Sequence, residues 1–397
     1  MLQYAQEAAT QQNWSQVTQL LRHCTAQLEQ ASATEQEQAL DLALDALLWG
    51  DFQDRWELVK VLPHLGMPAF EALTHLLLDE AMTFEIRWFA ARILGAFQDP
   101  IAVEPLVQCL QSADDPEVVQ VAALALASLG EVAIAPLAQA LADPAQCVMA
   151  VQALTQIHHP AIVEPLLSVV EHPDPALRAQ IIEALSNFQQ PRLVPILVQA
   201  LQDPHAMVRK EAVTGLGLWT TSQRANLTHS MDLFALLQSC LHDLNLEVCQ
   251  QAAIALGRLA TPAAATALFE VIQKETTPPP LQRDSIRALG RIESSQTLSY
   301  FQAVLPQISP MAQVETIRAL GRWETIELKP SATQILLDFF AVADELAIVV
   351  QQELTQAWAH LQSSLAIPTL QQLTQSDIET VRLHAIAALK QLSGSDL

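Results

Sequence analysis

The sequence predicts an all-α protein, built as a right-handed α-solenoid of about ten stacked helical hairpins. A short motif, a small residue followed by Leu and a second small residue, recurs about every 31 residues. The residues before each motif have the spacing of one helix face. The chain has only ten Gly in 397 residues, 51% hydrophobic residues and 5% aromatic residues, which favours helices over a large sheet. Such repeats must stack, because a single hairpin cannot bury its apolar face alone.

The central leucine of the motif marks most of the hairpins directly. These leucines are Leu94, Leu126, Leu154, Leu185, Leu216, Leu256, Leu289, Leu320 and Leu389. Leu62 extends the series towards the N-terminus, and the long gap before Leu389 fits one further unit around Trp358. One register therefore runs through nearly the whole chain.

Each hairpin is predicted to contain a first helix, a short acidic turn and a second helix that carries the motif. The turn often reads Asp-Pro, as in Asp115-Pro116 and Asp203-Pro204. Asp is a favoured N-cap residue, and Pro in the first helical turn loses no intrahelical hydrogen bond. The small residues of the motif should let neighbouring helices approach closely.

The pattern of residues 203–217, in which Asp-Pro is followed by Val-Arg, Ala and Gly-Leu-Gly, resembles HEAT repeats. It is similar to the subtype found in the phycobilisome (bilin) lyases of cyanobacteria. This resemblance implies an armadillo-like superhelix whose second helices line the concave face. It also implies a non-catalytic scaffold or assembly factor, with a client in phycobilisome or photosynthetic complex biogenesis. Alternatively, it implies a phycobilin lyase or lyase subunit acting on a phycobiliprotein cysteine. Only that alternative requires a cofactor, phycobilin.

The predicted domain organisation is a cap followed by one array. Residues 1–35 are predicted to form N-terminal capping helices, in which Val17, Leu21 and Cys24 share an apolar face that covers the first hairpin. Residues 36–397 are predicted to form one continuous solenoid. A polar insertion over residues 220–230 breaks the period and is a candidate soft hinge.

Composition limits the classes of function. The formal charge of −23 argues against nucleic-acid binding, which requires clustered Lys and Arg. Five scattered cysteines are typical of reduced thiols. The first residues do not resemble a signal peptide, and no stretch of 18 apolar residues predicts membrane insertion. We therefore expect a cytoplasmic protein.

The sequence offers no catalytic residues and no metal ligands. It lacks the common metal, nucleotide and nucleophile motifs. A metal or iron–sulfur assembly adaptor is a third alternative, although the cysteines are not clustered as such sites require.

One set of arginines is predicted to be structural. The Arg that follows the first core position of the second helix recurs in five hairpins, as Arg55, Arg87, Arg178, Arg209 and Arg382. This periodicity predicts a structural ladder in which each Arg bridges Asp and loop carbonyls between repeats.

A second set of arginines is a candidate partner-binding site. These residues lie six or ten positions after the first core position, on the side of three consecutive second helices that points away from the core. They are Arg258, Arg287, Arg291, Arg318 and Arg322. They would bind an acidic protein segment, or bilin propionates in a lyase. Alternatively, they pair with carboxylates of the same chain, because a strongly negative protein gains stability from such pairs.

Two tryptophans are a further candidate. Trp56 and Trp88 are 32 residues apart and therefore occupy the same repeat position. Pointing away from the core, they would form an exposed strip for an apolar client surface. Alternatively, the register slips near the N-terminus and both are buried.

Overall fold

The structure, a computed structural model, describes residues 1–28, 31–112, 115–219, 232–343 and 345–393. Within these ranges the regular structure consists of α-helices and short 3-10 segments, with no strand. The predicted all-α fold of helical hairpins is confirmed. The candidate hinge over residues 220–230 lies outside the described residues.

The chain forms two compact units, Met1–Ala184 and Leu185–Leu397. Two helices, Leu2–Thr10 and Trp14–Leu28, precede the first hairpin. The second of them packs against both helices of that hairpin. Its residues Val17, Leu21 and Cys24 are buried, as their shared apolar face predicts.

Eleven hairpins follow within the described residues. Their first helices are Ala33–Trp49, Gly66–Leu78, Val103–Ser112, Ile134–Ala140, Val163–Leu167, Val194–Ala200, Leu233–Cys240, Pro262–Gln273, Ser295–Val304, Lys329–Val342 and Ile367–Leu373. Their second helices are Phe52–Leu58, Phe84–Ala96, Pro116–Ser128, Cys147–Gln156, Pro175–Ser186, Ala206–Gly217, Leu246–Leu259, Pro279–Leu289, Pro310–Gly321, Ile348–Leu361 and Glu379–Ser393. Short 3-10 segments are Leu62–Leu65, Pro100–Ala102, Gly130–Ala133, Pro160–Ile162, Pro191–Leu193, Ile326–Leu328 and Ser364–Ala366.

Aspartates order the turns before the second helices. The Asp115 carboxylate caps its helix by accepting a hydrogen bond from the Glu117 N–H at 2.9 Å, and Pro116 occupies the first turn. Asp174 and Asp203 accept from the N–H two residues ahead at 2.9 and 2.8 Å. These bonds satisfy N–H groups that have no acceptor within the helix. The predicted Asp-Pro turn is confirmed at these three positions.

The predicted structural arginines each donate to carbonyl oxygens at or just after the end of the first helix. The donors and acceptors are Arg55 to Leu47 and Leu48, Arg87 to Leu77, Arg178 to His172 and Pro173, Arg209 to Asp203 and Pro204, and Arg382 to Ser376. Carbonyls there lack intrahelical donors, and a charged donor makes the stronger bond. The predicted structural role is confirmed.

Four other hairpins use a different side chain at the same position for the same purpose. The donors and acceptor carbonyls are Cys249 to Asp243, Gln282 to Ile272, Gln313 to Leu305 and Gln351 to Leu346, at 2.9–3.2 Å. These side chains differ in chemistry, but each has a hydrogen-bond donor that reaches the same backbone carbonyl. The recurrence of arginine at this position predicted its structural role. The same role of the glutamines and of Cys249 could not be predicted from residue type.

Successive second helices touch at glycine. A Cβ atom placed on Gly290 would lie 2.7 Å from the Ala319 Cβ, and one on Gly257 would lie 2.8 Å from both the Cα and the Cβ of Ala288. Side chains do not approach that closely, so these contacts require glycine. The small residues of the motif therefore bring adjacent second helices into direct backbone contact.

Candidate protein-binding surfaces

Two of the five candidate arginines, both in the unit Leu185–Leu397, bind carboxylates of the next hairpin. Arg287 donates from Nε and Nη2 to the two carboxylate oxygens of Glu315, each at 2.9 Å. Arg318 binds both oxygens of Glu353 at 3.0 and 2.7 Å, and its Nη1 reaches Glu315 at 3.2 Å. The four side chains form one continuous ionic ladder across three second helices. The self-pairing alternative expects this arrangement for these two residues.

The electrostatic consequence is visible at the central carboxylate. Burial raises the pKa of the Glu315 carboxyl, but the hydrogen bonds from Arg287 and the nearby positive charges outweigh burial, and the net pKa lies below its usual value. The hydrogen bonds to Glu353 raise the pKa of Arg318. Glu315 is therefore ionised, and Arg318 positively charged, at neutral pH.

The other three candidates form a separate, exposed group. Arg258, Arg291 and Arg322 each follow a glycine at the end of a second helix, and all three side chains are exposed. Arg291 and Arg322 make no ion pair with the described residues. The three arginines occupy the same position of three consecutive hairpins, directly after a glycine that packs against the next second helix. Their role in partner binding stays a prediction.

The two candidate tryptophans lie in the unit Met1–Ala184 and are half-buried. Both rings lie near Arg92, whose Cζ atom is 4.3 Å from the ring centroid of Trp56 and 5.6 Å from that of Trp88. A guanidinium at these distances is attracted to the negative face of an indole ring. The tryptophans therefore hold a cation between consecutive hairpins, and their role in partner binding stays a prediction.

Further aromatic side chains on the same two hairpins are exposed. Phe52 is 64% exposed and stacks on Trp56, with ring centroids 5.9 Å apart. Trp49 is 71% exposed, and Phe84 is also exposed. We call Trp49, Phe52, Trp56, Phe84 and Trp88 the aromatic patch. Several large exposed aromatic side chains on two consecutive hairpins are typical of a protein-binding surface.

Arg92 was not predicted as a site residue. This residue lies six positions after the core residue Ile86, which is also the relation of Arg287 to Leu281 and of Arg318 to Ala312. Repeat position is therefore a signal that could identify Arg92. Its two neighbouring hairpins carry no arginine at that position, so no run of arginines marks it.

The described residues bear on metal binding and on thiol chemistry. They contain no group of three or more His, Cys, Asp or Glu side chains placed to hold a metal ion. All five cysteines are buried and unpaired. Burial raises the pKa of the Cys109 thiol to about 11, and burial also raises the pKa of Cys147, Cys240 and Cys249. These four thiols are therefore protonated and unreactive at neutral pH.

No helix in the described ranges is both long enough and apolar enough to cross a bilayer.

Repeated helical hairpins, joined through direct contacts between their second helices, define this protein as an α-solenoid. The chain belongs to the HEAT-repeat family. A family model described as HEAT repeats matches residues 40–127, 70–148, 134–217 and 194–279, which together span more than half of the chain. HEAT-repeat solenoids are typical of protein-binding scaffolds.

Solved structures of longer solenoids share this fold. Kap95p, from a structure that describes its binding to RanGDP, is similar with a TM-score of 0.58 and 13% identity over 98% of this chain and 58% of Kap95p. Importin beta matches with a TM-score of 0.57 and 13% identity, over 94% of this chain and 60% of its own. Kap121p bound to Nup53p matches with a TM-score of 0.55 and 13% identity, over 98% and 47%. The chain thus spans about half to three fifths of their lengths. A search of curated proteins finds no match.

Proposed function

We propose that this protein is a non-catalytic scaffold that binds a protein client through the aromatic patch. The observation that carries the proposal is the exposure of Trp49 and of Phe52, which stacks on the half-buried Trp56. Water solvates exposed aromatic rings poorly, and burying them against a partner supplies much of the binding energy at protein interfaces. The HEAT fold supports the proposal, because stacked hairpins offer an extended surface to a partner.

The finer parts of the proposal are the client and the compartment. The client would have an acidic or apolar surface, which complements the exposed Arg258, Arg291 and Arg322 or the aromatic patch. The sequence resemblance supports a role as an assembly factor for phycobilisomes or photosynthetic complexes in a cyanobacterium. Five free cysteines support a reducing compartment such as the cytoplasm.

The proposal is tested by affinity capture with matched variants. The double substitution Trp49→Ser and Phe52→Ser changes only exposed positions, so it should leave folding intact and reduce client recovery at least tenfold. The control is Leu244→Ser, which removes a fully exposed apolar side chain from the other unit. Equal recovery by wild type, patch variant and control would refute the patch as the binding surface. A second variant, Arg291→Glu with Arg322→Glu, asks whether the exposed arginines contribute independently.

A phycobilin lyase, or a lyase subunit, is the second candidate function. Its support is the resemblance of the repeats to those of bilin lyases, together with three exposed arginines at equivalent positions of consecutive hairpins, which suit carboxylate groups such as bilin propionates. Mixing the protein with phycocyanobilin tests it. A saturable red-shifted visible absorbance that Arg291→Glu weakens would support the candidate, and an unchanged bilin spectrum would remove it.

A further inference from the structure

The ionic ladder lies in the unit Leu185–Leu397. Its two arginines each lie six positions after the first core residue of a second helix, and each binds a carboxylate of the next hairpin. Arg287 and Arg318 bind Glu315 and Glu353, which lie three positions after the first core residue of the next hairpin. Arg92 occupies the same position in the N-terminal unit. The residue that corresponds to the two glutamates there is Val121, which is buried and carries no charge.

Arg92 consequently differs from every other Lys and Arg in its unit. The other five each have a hydrogen bond or an ion pair, namely Arg22 and Lys60 with Glu57, Arg55 with Leu47, Arg87 with Leu77 and Arg178 with His172. Within the described residues Arg92 has only its contacts with Trp56 and Trp88, and its buried Nε atom has no hydrogen-bond partner. Buried donors without partners are costly, so this arrangement requires a reason.

Arg92 is one of the residues that line a small cavity. The cavity has a volume of about 230 Å³, and Val121 and the exposed Leu124 contribute apolar walls. The polar groups that line it already have acceptors: the Gln98 amide donates to the Gly95 carbonyl at 3.0 Å, and the Ser128 hydroxyl donates to the Ala125 carbonyl at 2.7 Å. Arg92 is the one charged side chain among its lining residues. The cavity therefore offers an anionic group a cation, apolar walls and no competing carboxylate.

We propose that Arg92 binds a carboxylate side chain, Asp or Glu, of a protein partner whose neighbouring apolar residues pack on Trp56 and Leu124. The partner carboxylate would complete the pair that Glu315 and Glu353 complete within the chain elsewhere. The two indole rings hold the guanidinium in place, so binding costs little additional ordering of this side chain. The inference rests on the proposed scaffold function and specifies the chemistry of the partner at the aromatic patch.

The probe for this site is 3-phenylpropanoate, with the neutral 3-phenylpropanamide as its matched control. Binding is followed through the indole N–H signals of 15N-tryptophan-labelled full-length protein, assigned with Trp56→Phe and Trp88→Phe. We expect a saturable shift of these two signals with a low millimolar Kd for the carboxylate, at least tenfold tighter than for the amide. Equal binding of acid and amide, or binding of neither, would overturn the proposal.

Two substitutions separate a recognition role from simple packing. Arg92→Gln should abolish carboxylate binding, whereas Arg22→Gln, which removes an exposed arginine of the same unit, should leave it unchanged. Val121→Glu should place a carboxylate of the chain itself beside Arg92, in the manner of Glu315, and block the probe while the circular dichroism spectrum remains helical. A folded Val121→Glu or Arg92→Gln protein that binds the probe as wild type does would contradict the proposal.

The same variants distinguish this inference from the scaffold proposal. If the substitution of Trp49 and Phe52 abolishes client capture while Arg92→Gln does not, the scaffold stands and the carboxylate site is wrong. If the wild-type protein and the patch variant capture the same proteins, the scaffold proposal fails. In that case selective binding of 3-phenylpropanoate through Arg92 would still support the site chemistry, and its absence would refute both.

Discussion

Replacing Gly257 by alanine should destabilise the protein, although alanine is the better helix former. Helix propensity alone favours alanine by about 1 kcal/mol. The added Cβ, however, would lie within 2.9 Å of three Ala288 atoms, its Cα, Cβ and carbonyl oxygen. Two of these are backbone atoms that move only if the neighbouring helix moves. Overpacking of this kind costs about 1–3 kcal/mol, and the rigid partners place it in the upper part of that range. We expect a net loss of about 1–2 kcal/mol.

A second glycine provides the contrast that makes the reasoning testable. A Cβ on Gly290 would clash chiefly with the Ala319 Cβ, at 2.7 Å, while the Ala319 Cα is 3.6 Å away. Exchanging the two residues, with Gly290→Ala and Ala319→Gly together, removes that clash and should restore most of the stability lost by Gly290→Ala. The corresponding exchange of Gly257 and Ala288 leaves the backbone contacts in place and should restore little.

Urea unfolding followed by circular dichroism measures these effects as double-mutant cycles. Hydrogen exchange of the two affected helices localises the change, which matters because repeat arrays can unfold in parts. The steric account is wrong if Gly257→Ala raises the unfolding midpoint, as propensity alone predicts. It is also wrong if both exchanges restore stability equally.

Three further predictions concern hydrogen bonds, pH and thiol reactivity. Gln282→Ala leaves the Ile272 carbonyl without its donor and should cost about 1 kcal/mol in urea unfolding, whereas Gln302→Ala, at an exposed position, should have no measurable effect. Hydrogen bonds from Arg209 hold the pKa of the Asp243 carboxyl below its usual value, so their stabilisation is complete above about pH 4 and is lost as pH falls through the lowered pKa. The stability difference between wild type and Asp243→Asn should therefore shrink from pH 7 towards pH 2, and a constant difference would contradict the pairing. The Cys109 thiol should react with a disulfide reagent at pH 8 roughly a hundredfold more slowly than a free thiol, and normally once urea unfolds the chain; equal rates in both states would show that it is accessible.

The hairpins were predictable because their signals are local. Asp203 and Arg209 lie six residues apart, and the turn between them closes through hydrogen bonds within that short segment. The glutamines that replace arginine could not be recognised from residue type, because Gln282 and Gln313 share with Arg209 only the carbonyl they reach.

The candidate surfaces were predictable only in part. Repeat position identified Trp56 and Trp88 as neighbours, and both indole rings do lie near the same side chain, Arg92. Repeat position did not show that Arg287 and Arg318 form ion pairs within the chain, because their partners Glu315 and Glu353 lie 28 and 35 residues further along the sequence. Which side chain faces an arginine across two helices depends on how the hairpins superpose.

The sequence by itself determined the all-α class, the hairpin register, the capping turns and the structural arginines, because periodicity and turn chemistry act over a few residues. Only the tertiary structure decided which arginines are neutralised within the chain, which remain exposed, and that Arg92 lies near two indole rings and lines a small cavity. These outcomes depend on contacts between consecutive second helices. Val121 stands where other hairpins carry Glu315 and Glu353, and this one difference changes what the facing arginine can bind.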